Sequence, residues 1–129
     1  MECLQDIIAR SPVRVQPGRY SVAKCSAVPA GEFFMVARDA DEGTVIAEEG
    51  RLPSEVQEGR GGYRLVGLAI ATPFEGVGFL AAASGAVAGA GLNVLIVSTF
   101  SKDYLLLKEE SVAAGLAALA AAGFPVVEG

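Results

Sequence analysis

The stretch "LNVLIVSTFSKDYLLLKEE", Leu92 to Glu110, decides how the rest of the chain is read. Two apolar runs flank a polar corner that holds Ser98, Thr99, Lys102 and Asp103. Runs of this length, rich in Val, Ile, Leu and aromatic residues, read as buried strands, and the corner reads as the turn between them. A turn needs polar residues in any protein, and a binding site needs them too, so both readings of the corner stay open at this point.

Outward from that pair, the pattern continues. Upstream, "YRLVGLAIA" is a strand, "TPFEGVG" a loop, and "FLAAASGAVAGAG" a helix with Leu80, Ala83, Val87 and Ala90 on one face. Gly91 can end that helix. Downstream, Ser111 caps a second helix, "VAAGLAALAAA", which Gly123 ends, and "FPVVEG" is a final edge strand where Pro125 is tolerated. The order is βαββαβ, so the second half reads as an α+β, ferredoxin-like unit. Gly85 and Gly89 lie four apart on its first helix. Each costs about 1 kcal/mol relative to Ala in a helix interior, which predicts close packing against that face unless the composition is simply Ala-Gly-rich.

The first half reads as mostly β. "PVRVQPGRYSVAKCSA" offers two short strands around Pro17-Gly18, and "EFFMVARDADEGTVIAEEG" is a hairpin with its loop at Asp39 to Gly43. A short helix capped by Ser54 is expected at "PSEVQ", and "EGRGGYR", Glu58 to Arg64, reads as a linker. The expected domains are therefore 1–60 and 61–129. "FFMVARDADEGTVIAEEG" and "VLIVSTFSKDYLLLKEES" are both hairpins ending in a Glu pair, a weak internal repeat that makes the first half a worn copy of the second with its first helix almost lost.

Composition narrows the function. Of 129 residues, 52% are hydrophobic and 19% charged, which supports a substantial core. The net charge is −5 and no window gathers Lys and Arg, against a nucleic-acid or anionic-membrane partner. Gly76 to Ser101 carries no charge and exceeds the roughly 20 residues that span a bilayer, but "AGAGLN" punctuates it, so helix then strand is the reading. There is no His, which removes the usual general base and the commonest zinc ligand. Cys3 and Cys25 lack metal-type spacing, and no export signal is legible, so a reduced cytoplasmic setting is expected. No cofactor or metal is expected, and no nucleophile has an adjacent base.

With these residues in place, the second half resembles the ACT domain, a small amino-acid-sensing module. It looks most like the tandem-ACT subgroup that includes the cytosolic arginine sensors. The resemblance rests on Gly78 opening the helix, Ala90-Gly91 ending it, then Ser98-Thr99-Phe100, two spacers, Asp103-Tyr104 and a Leu-rich strand ending Lys108-Glu109-Glu110. It covers roughly Leu65 to Phe124, and the "GEFFMVAR" hairpin fits the first copy of that subgroup. The family implies a ligand loop at Phe74, Glu75, Gly76, Val77 and Gly78. It implies that Thr99, Phe100 and Asp103 hold a cationic side chain. The position matching the family's ammonium-binding acid is Gly76, and the nearest carboxylate is Glu75.

The residues make chemical sense of that site. Backbone N–H groups at a helix start favour a carboxylate, and Glu75 or Asp103 would favour an ammonium. Each feature also has a plain structural explanation: a strand corner, a turn glycine, or a first-turn charge on the helix dipole. The expectation is a non-catalytic small-molecule-binding regulatory module, with an amino acid as ligand. It would be a homodimer through edge strands, acting on a separate regulated protein. The other reading is an interaction or structural module whose ligand site has decayed.

Overall fold

A computed structural model describes residues 3–73 and 75–127. Its elements are α1 (Leu4–Ala9), β1 (Val13–Val15), β2 (Tyr20–Cys25), β3 (Met35–Arg38), β4 (Gly43–Glu48), β5 (Val56–Leu68), α2 (Phe79–Gly89), β6 (Leu95–Ser98), β7 (Asp103–Lys108) and α3 (Val112–Ala121). They form two compact units. One joins the residues up to Pro17 with those from Arg64 onward; the other is Gly18–Tyr63.

In the larger unit, β5 lies beside β7, β7 pairs antiparallel with β6, and β1 pairs antiparallel with the end of β5, Val13 opposite Leu68. The helices pack over a core of Ile8, Val13, Val66, Leu68, Phe79, Ala83, Val87, Leu105, Leu107, Leu119 and Phe124. This α+β arrangement is the ferredoxin-like βαββαβ plan, with one exchange. The place expected for "FPVVEG" next to the first strand is taken by β1, and Val126 makes only a parallel bridge outside it. Val13 N–H donates to Pro125 O at 2.8 Å and Val127 N–H to Val13 O at 2.9 Å. Residues up to Pro17 pack with those from Arg64 onward, and fully buried Val13 belongs to that core.

Both longer helices end alike. Gly91 (φ +79°) and Gly123 (φ +102°) adopt the left-handed conformation that lets the chain fold back. Gly91 N–H bonds Ala88 O while Leu92 N–H bonds Val87 O; Gly123 N–H bonds Ala120 O while Phe124 N–H bonds Leu119 O. These are paired Schellman closures, each followed at once by an apolar residue that packs against the core. Ser111 does precede α3, but its side chain makes no capping bond. Gly85 and Gly89 are not closely packed within the chain, since a Cβ on either would meet nothing within 4 Å. The tight glycine is Gly115 on α3, whose added Cβ would lie 2.6 Å from Leu107 Cδ1. Among the described residues no helix is long and apolar enough to cross a membrane. The uncharged run divides into α2 and β6.

The smaller unit contains no α-helix. Its strands run in the order β3, β4, β2 and the first part of β5, around Cys25, Val45 and Ala47. Its hairpin repeats the other one: Met35–Arg38 answers Leu95–Ser98, Gly43–Glu48 answers Asp103–Lys108, and the cross-strand register is the same, Arg38 opposite Gly43 as Ser98 opposite Asp103. Each hairpin runs into a 3₁₀ turn, Glu49–Arg51 and Glu109–Ser111. The structural repeat therefore pairs Glu49 with Glu109, one residue off the alignment of the two Glu pairs. In the first hairpin's loop, Asp39 Oδ1 accepts the Asp41 N–H at 2.8 Å and the Glu42 N–H at 2.9 Å. These two bonds, Asp41's the larger influence, hold the Asp39 carboxyl below its ordinary pKa.

Two expectations fail here. "PSEVQ" is not helical; Val56 and Gln57 already belong to β5. Nor is Glu58 to Arg64 a linker; it is the middle of β5. The ladder with β2 pairs Tyr20 with Tyr63 and Val22 with Arg60, so three residues of β5 are passed in two of β2. The extra residue is a bulge at Gly61-Gly62, with Gly62 at φ +82°. Glu49 fills the space: its Oε2 accepts the Gly62 N–H at 2.7 Å, and its Oε1 lies 3.6 Å from Arg19 Nε. A Cβ on Gly61 would stand 2.6 Å from Glu49 Oε2 and 2.9 Å from Ser21 Oγ. Gly61→Ala is therefore expected to cost about 1–3 kcal/mol, by displacing a carboxylate from a backbone donor. Urea denaturation reads this directly, and a neutral result would restore the linker.

Candidate functional site

The polar corner between β6 and β7 and the loop before α2 face a common cavity of about 350 Å³ in the larger unit. The loop is built from both ends. Buried Ser11, just after α1, donates its hydroxyl to Ile7 O at 2.6 Å and accepts the Ala71 N–H at 2.9 Å, pinning the loop's start. Its other end is Gly78, the residue before α2, at φ +83° with no side-chain cap. Phe79 N–H returns to Gly76 O at 3.0 Å, and Ala82 N–H takes Gly78 O at 2.9 Å, so the helix starts tightly.

The corner is a closed turn. Thr99 N–H donates to Lys102 O at 2.9 Å, and Ser98 Oγ donates to Asp103 Oδ1 at 2.5 Å across the last strand pair. The chain turns at these polar residues, and the same residues line a concavity. β7 is buried on both faces, with Leu105, Leu106 and Leu107 all inaccessible. β6 is not the buried strand its composition implies. Leu95 and Ile96 remain partly exposed because β6 has a neighbour on one side only.

Five of the eight expected residues meet at the cavity: Gly76, Val77, Thr99, Phe100 and Asp103. Glu75 is exposed and, like Gly78, is not in the lining. Phe74 lies outside the described residues. Gly76 has a reason of its own to lack a side chain. A Cβ there would sit 2.8 Å from Ile70 Cδ1 and 3.2 Å from Phe79 Cβ, so no acid fits at this position without repacking. Val77 and Phe100 are 92% and 82% exposed, which places them at the rim and not in the depth. The floor is apolar: Ile70, Pro73, Phe79 and Leu80. These were missed because nothing in local spacing says that the end of β5 approaches a turn far downstream. Lys102 belongs to the polar corner but not to the set of residues the resemblance implies. It lines the cavity beside Asp103, so one cation and one anion stand together against an apolar wall. Among the described residues no group of three or more His, Cys, Asp or Glu could hold a metal ion.

An antiparallel sheet of βαββαβ order with helices over it is an ACT-type, ferredoxin-like fold, similar to that of regulatory domains of aspartate kinase. The particular likenesses extend over most of the chain. A protein from Agobacterium tumefaciens is 23% identical, with 92% of this chain and 93% of that one covered and a TM-score of 0.80. A protein from Vibrio cholerae is 19% identical over 93% and 95%, with a TM-score of 0.74. The ligand-free regulatory subunit of aspartate kinase from Thermus thermophilus is 14% identical over 85% and 95%, with a TM-score of 0.63. At these identities the likeness is one of fold. The sequence matches no protein-family model and no curated protein.

Proposed function

We propose that the chain is a non-catalytic regulatory module that binds a small zwitterion of the amino-acid class and passes that state to a separate partner protein. The observation that carries this reading is that Lys102 and Asp103 both line a cavity of about 350 Å³ with an apolar floor. That volume lies in the range of small-molecule sites. The ammonium would rest on Asp103 and the carboxylate on Lys102 and the opening N–H groups of α2, each charge-assisted bond worth about 1.5–3 kcal/mol. In the tandem-ACT resemblance, Thr99, Phe100 and Asp103 would instead take a cationic side chain, and 1–60 would be the degenerate ACT-like half. We place the module in the cytoplasm, where its two unpaired cysteines, Cys3 and Cys25, stay reduced. We also read it as a homodimer through the uncharged outer edge of β6, a state that sedimentation measures directly.

Thermal stability against a panel of free amino acids tests the function. One of them is expected to raise the midpoint with concentration, since a ligand at a hundred times its Kd adds about 2.7 kcal/mol. A flat panel favours the second reading, an interaction module with a decayed site. That reading has its own support: Glu75 stands outside the lining, and an acid at Gly76, where the family would place one, would have to displace Ile70.

A further inference from the structure

A different concavity, of about 230 Å³, lies wholly in the smaller unit, at the end of the β3–β4 hairpin away from its Asp39 turn. It is lined by three aromatic rings, Tyr20, Phe33 and Phe34, two carboxylates, Glu32 and Glu48, and the guanidinium-bearing Arg51. We propose that it binds a betaine-type zwitterion: a methylated ammonium joined to a carboxylate.

The walls are already in place. Tyr20 and Phe34 meet edge to face, ring centroids 6.0 Å apart at 68°, so their rings form two sides of a corner. Phe33 packs on the core of Cys25, Val45 and Ala47. Its ring closes over Gly31 (φ +146°), where a Cβ would lie 2.7 Å from Phe33 Cζ. Glu48 is the direct cross-strand partner of Tyr20. The two converge on Gly18 (φ +93°), whose added Cβ would stand 3.3 Å from Glu48 Oε2 and 3.5 Å from Tyr20 Cε1. Two glycines in conformations that other residues rarely adopt thus make room for a ring and for a carboxylate beside a ring.

The chemistry selects the ligand. A methylated ammonium has no N–H to donate, so a carboxylate alone holds it poorly, whereas aromatic faces attract it and exclude water. Rings combined with anions suit that ion better than a metal, which wants converging oxygens. Glu32, Glu48 and Arg51 make no ion pair among the described residues, although other acids of the unit do: Glu42 with Lys24, Glu49 with Arg19 and Glu58 with Arg60. Arg51 supplies a planar, doubly donating partner for the ligand's carboxylate.

Calorimetry with the whole chain tests the proposal, using trimethylglycine, choline and 3,3-dimethylbutanoate, the uncharged-carbon isostere of trimethylglycine. Trimethylglycine is expected to bind, and the isostere to bind at least about tenfold more weakly, because only the cation is drawn to the rings. Glu48→Gln and Phe34→Leu should each weaken trimethylglycine by about tenfold. Arg51→Gln should weaken trimethylglycine but leave choline unchanged, and Asp103→Ala, in the other cavity, should leave both unchanged. No binding of trimethylglycine, equal binding of the isostere, or indifference to Glu48→Gln and Phe34→Leu overturns the proposal. The isostere comparison needs no variant, so a misfolded substitution does not blunt it.

Discussion

Phe79→Ala is expected to remove about 3–5 kcal/mol of stability, the cost of deleting a buried aromatic ring. Phe79 is 1% exposed and opens α2. Its ring meets that of Phe124 edge to face, centroids 5.5 Å apart at 71°. Such a pair adds about 0.5–1.5 kcal/mol beyond the area it buries. Phe124 follows the Gly123 closure of α3, so the contact ties the start of one helix to the end of the other. Against a total of about 5–15 kcal/mol for a domain, the loss takes a large share. Urea denaturation gives the number, and a loss below about 1 kcal/mol would mean that the ring does not seat as described. Phe79 also lines the larger cavity, so the same ring that secures the core forms part of its floor.

Asp103→Ala should weaken binding of whichever amino acid stabilises the protein by about 10- to 100-fold, while leaving the unfolding midpoint almost unmoved. The two effects separate because of where Asp103 sits. Among the described residues its carboxylate accepts the Ser98 hydroxyl alone, at the exposed end of a hairpin that four backbone-paired residues on each strand already hold in register. Removing it leaves Ser98 free to bond water. A calorimetric titration of the variant reads the affinity. Unchanged affinity would show that the ligand does not use this corner, and a large drop in midpoint would show that the side chain is structural.

Both hairpins, both helices of the second half and the glycines that end them were legible from the sequence, because each is specified by residues within a few positions of one another. Gly91 and Gly123 stand where the apolar helical pattern stops, and both take the left-handed conformation. The weak repeat is legible for the same reason, but the Glu pairs align it one residue away from the structural register, which matches the start of each 3₁₀ turn. "PSEVQ" is not helical because a helix so short is marginal by itself, whereas as the start of β5 it lets Val56 pair with Cys25 of β2. The Gly-rich segment at Glu58 to Arg64 misled because its glycines serve a bulge and the Glu49 carboxylate, which lies well upstream in the chain.

The candidate site divides along the same line. Thr99, Phe100 and Asp103 are one turn, and Gly76 and Val77 are one loop, so their residue types could be singled out in sequence. That they share a cavity with Ile70, Pro73 and Lys102, and that Glu75 does not, depends on how β5, α2 and the β6–β7 corner approach one another. By itself, then, the sequence determined the order of elements, the twin hairpins, the helix ends and the polar corner, because propensity, periodicity and turn chemistry act over short range. Only the tertiary structure decided that β1 stands beside β5, that β6 is an edge strand among the described residues, that Gly115 and not Gly85 is tightly packed, and that a side chain at Gly76 would have to displace Ile70. Each of those outcomes turns on clearances and strand partners between residues distant in the chain, which no local pattern encodes.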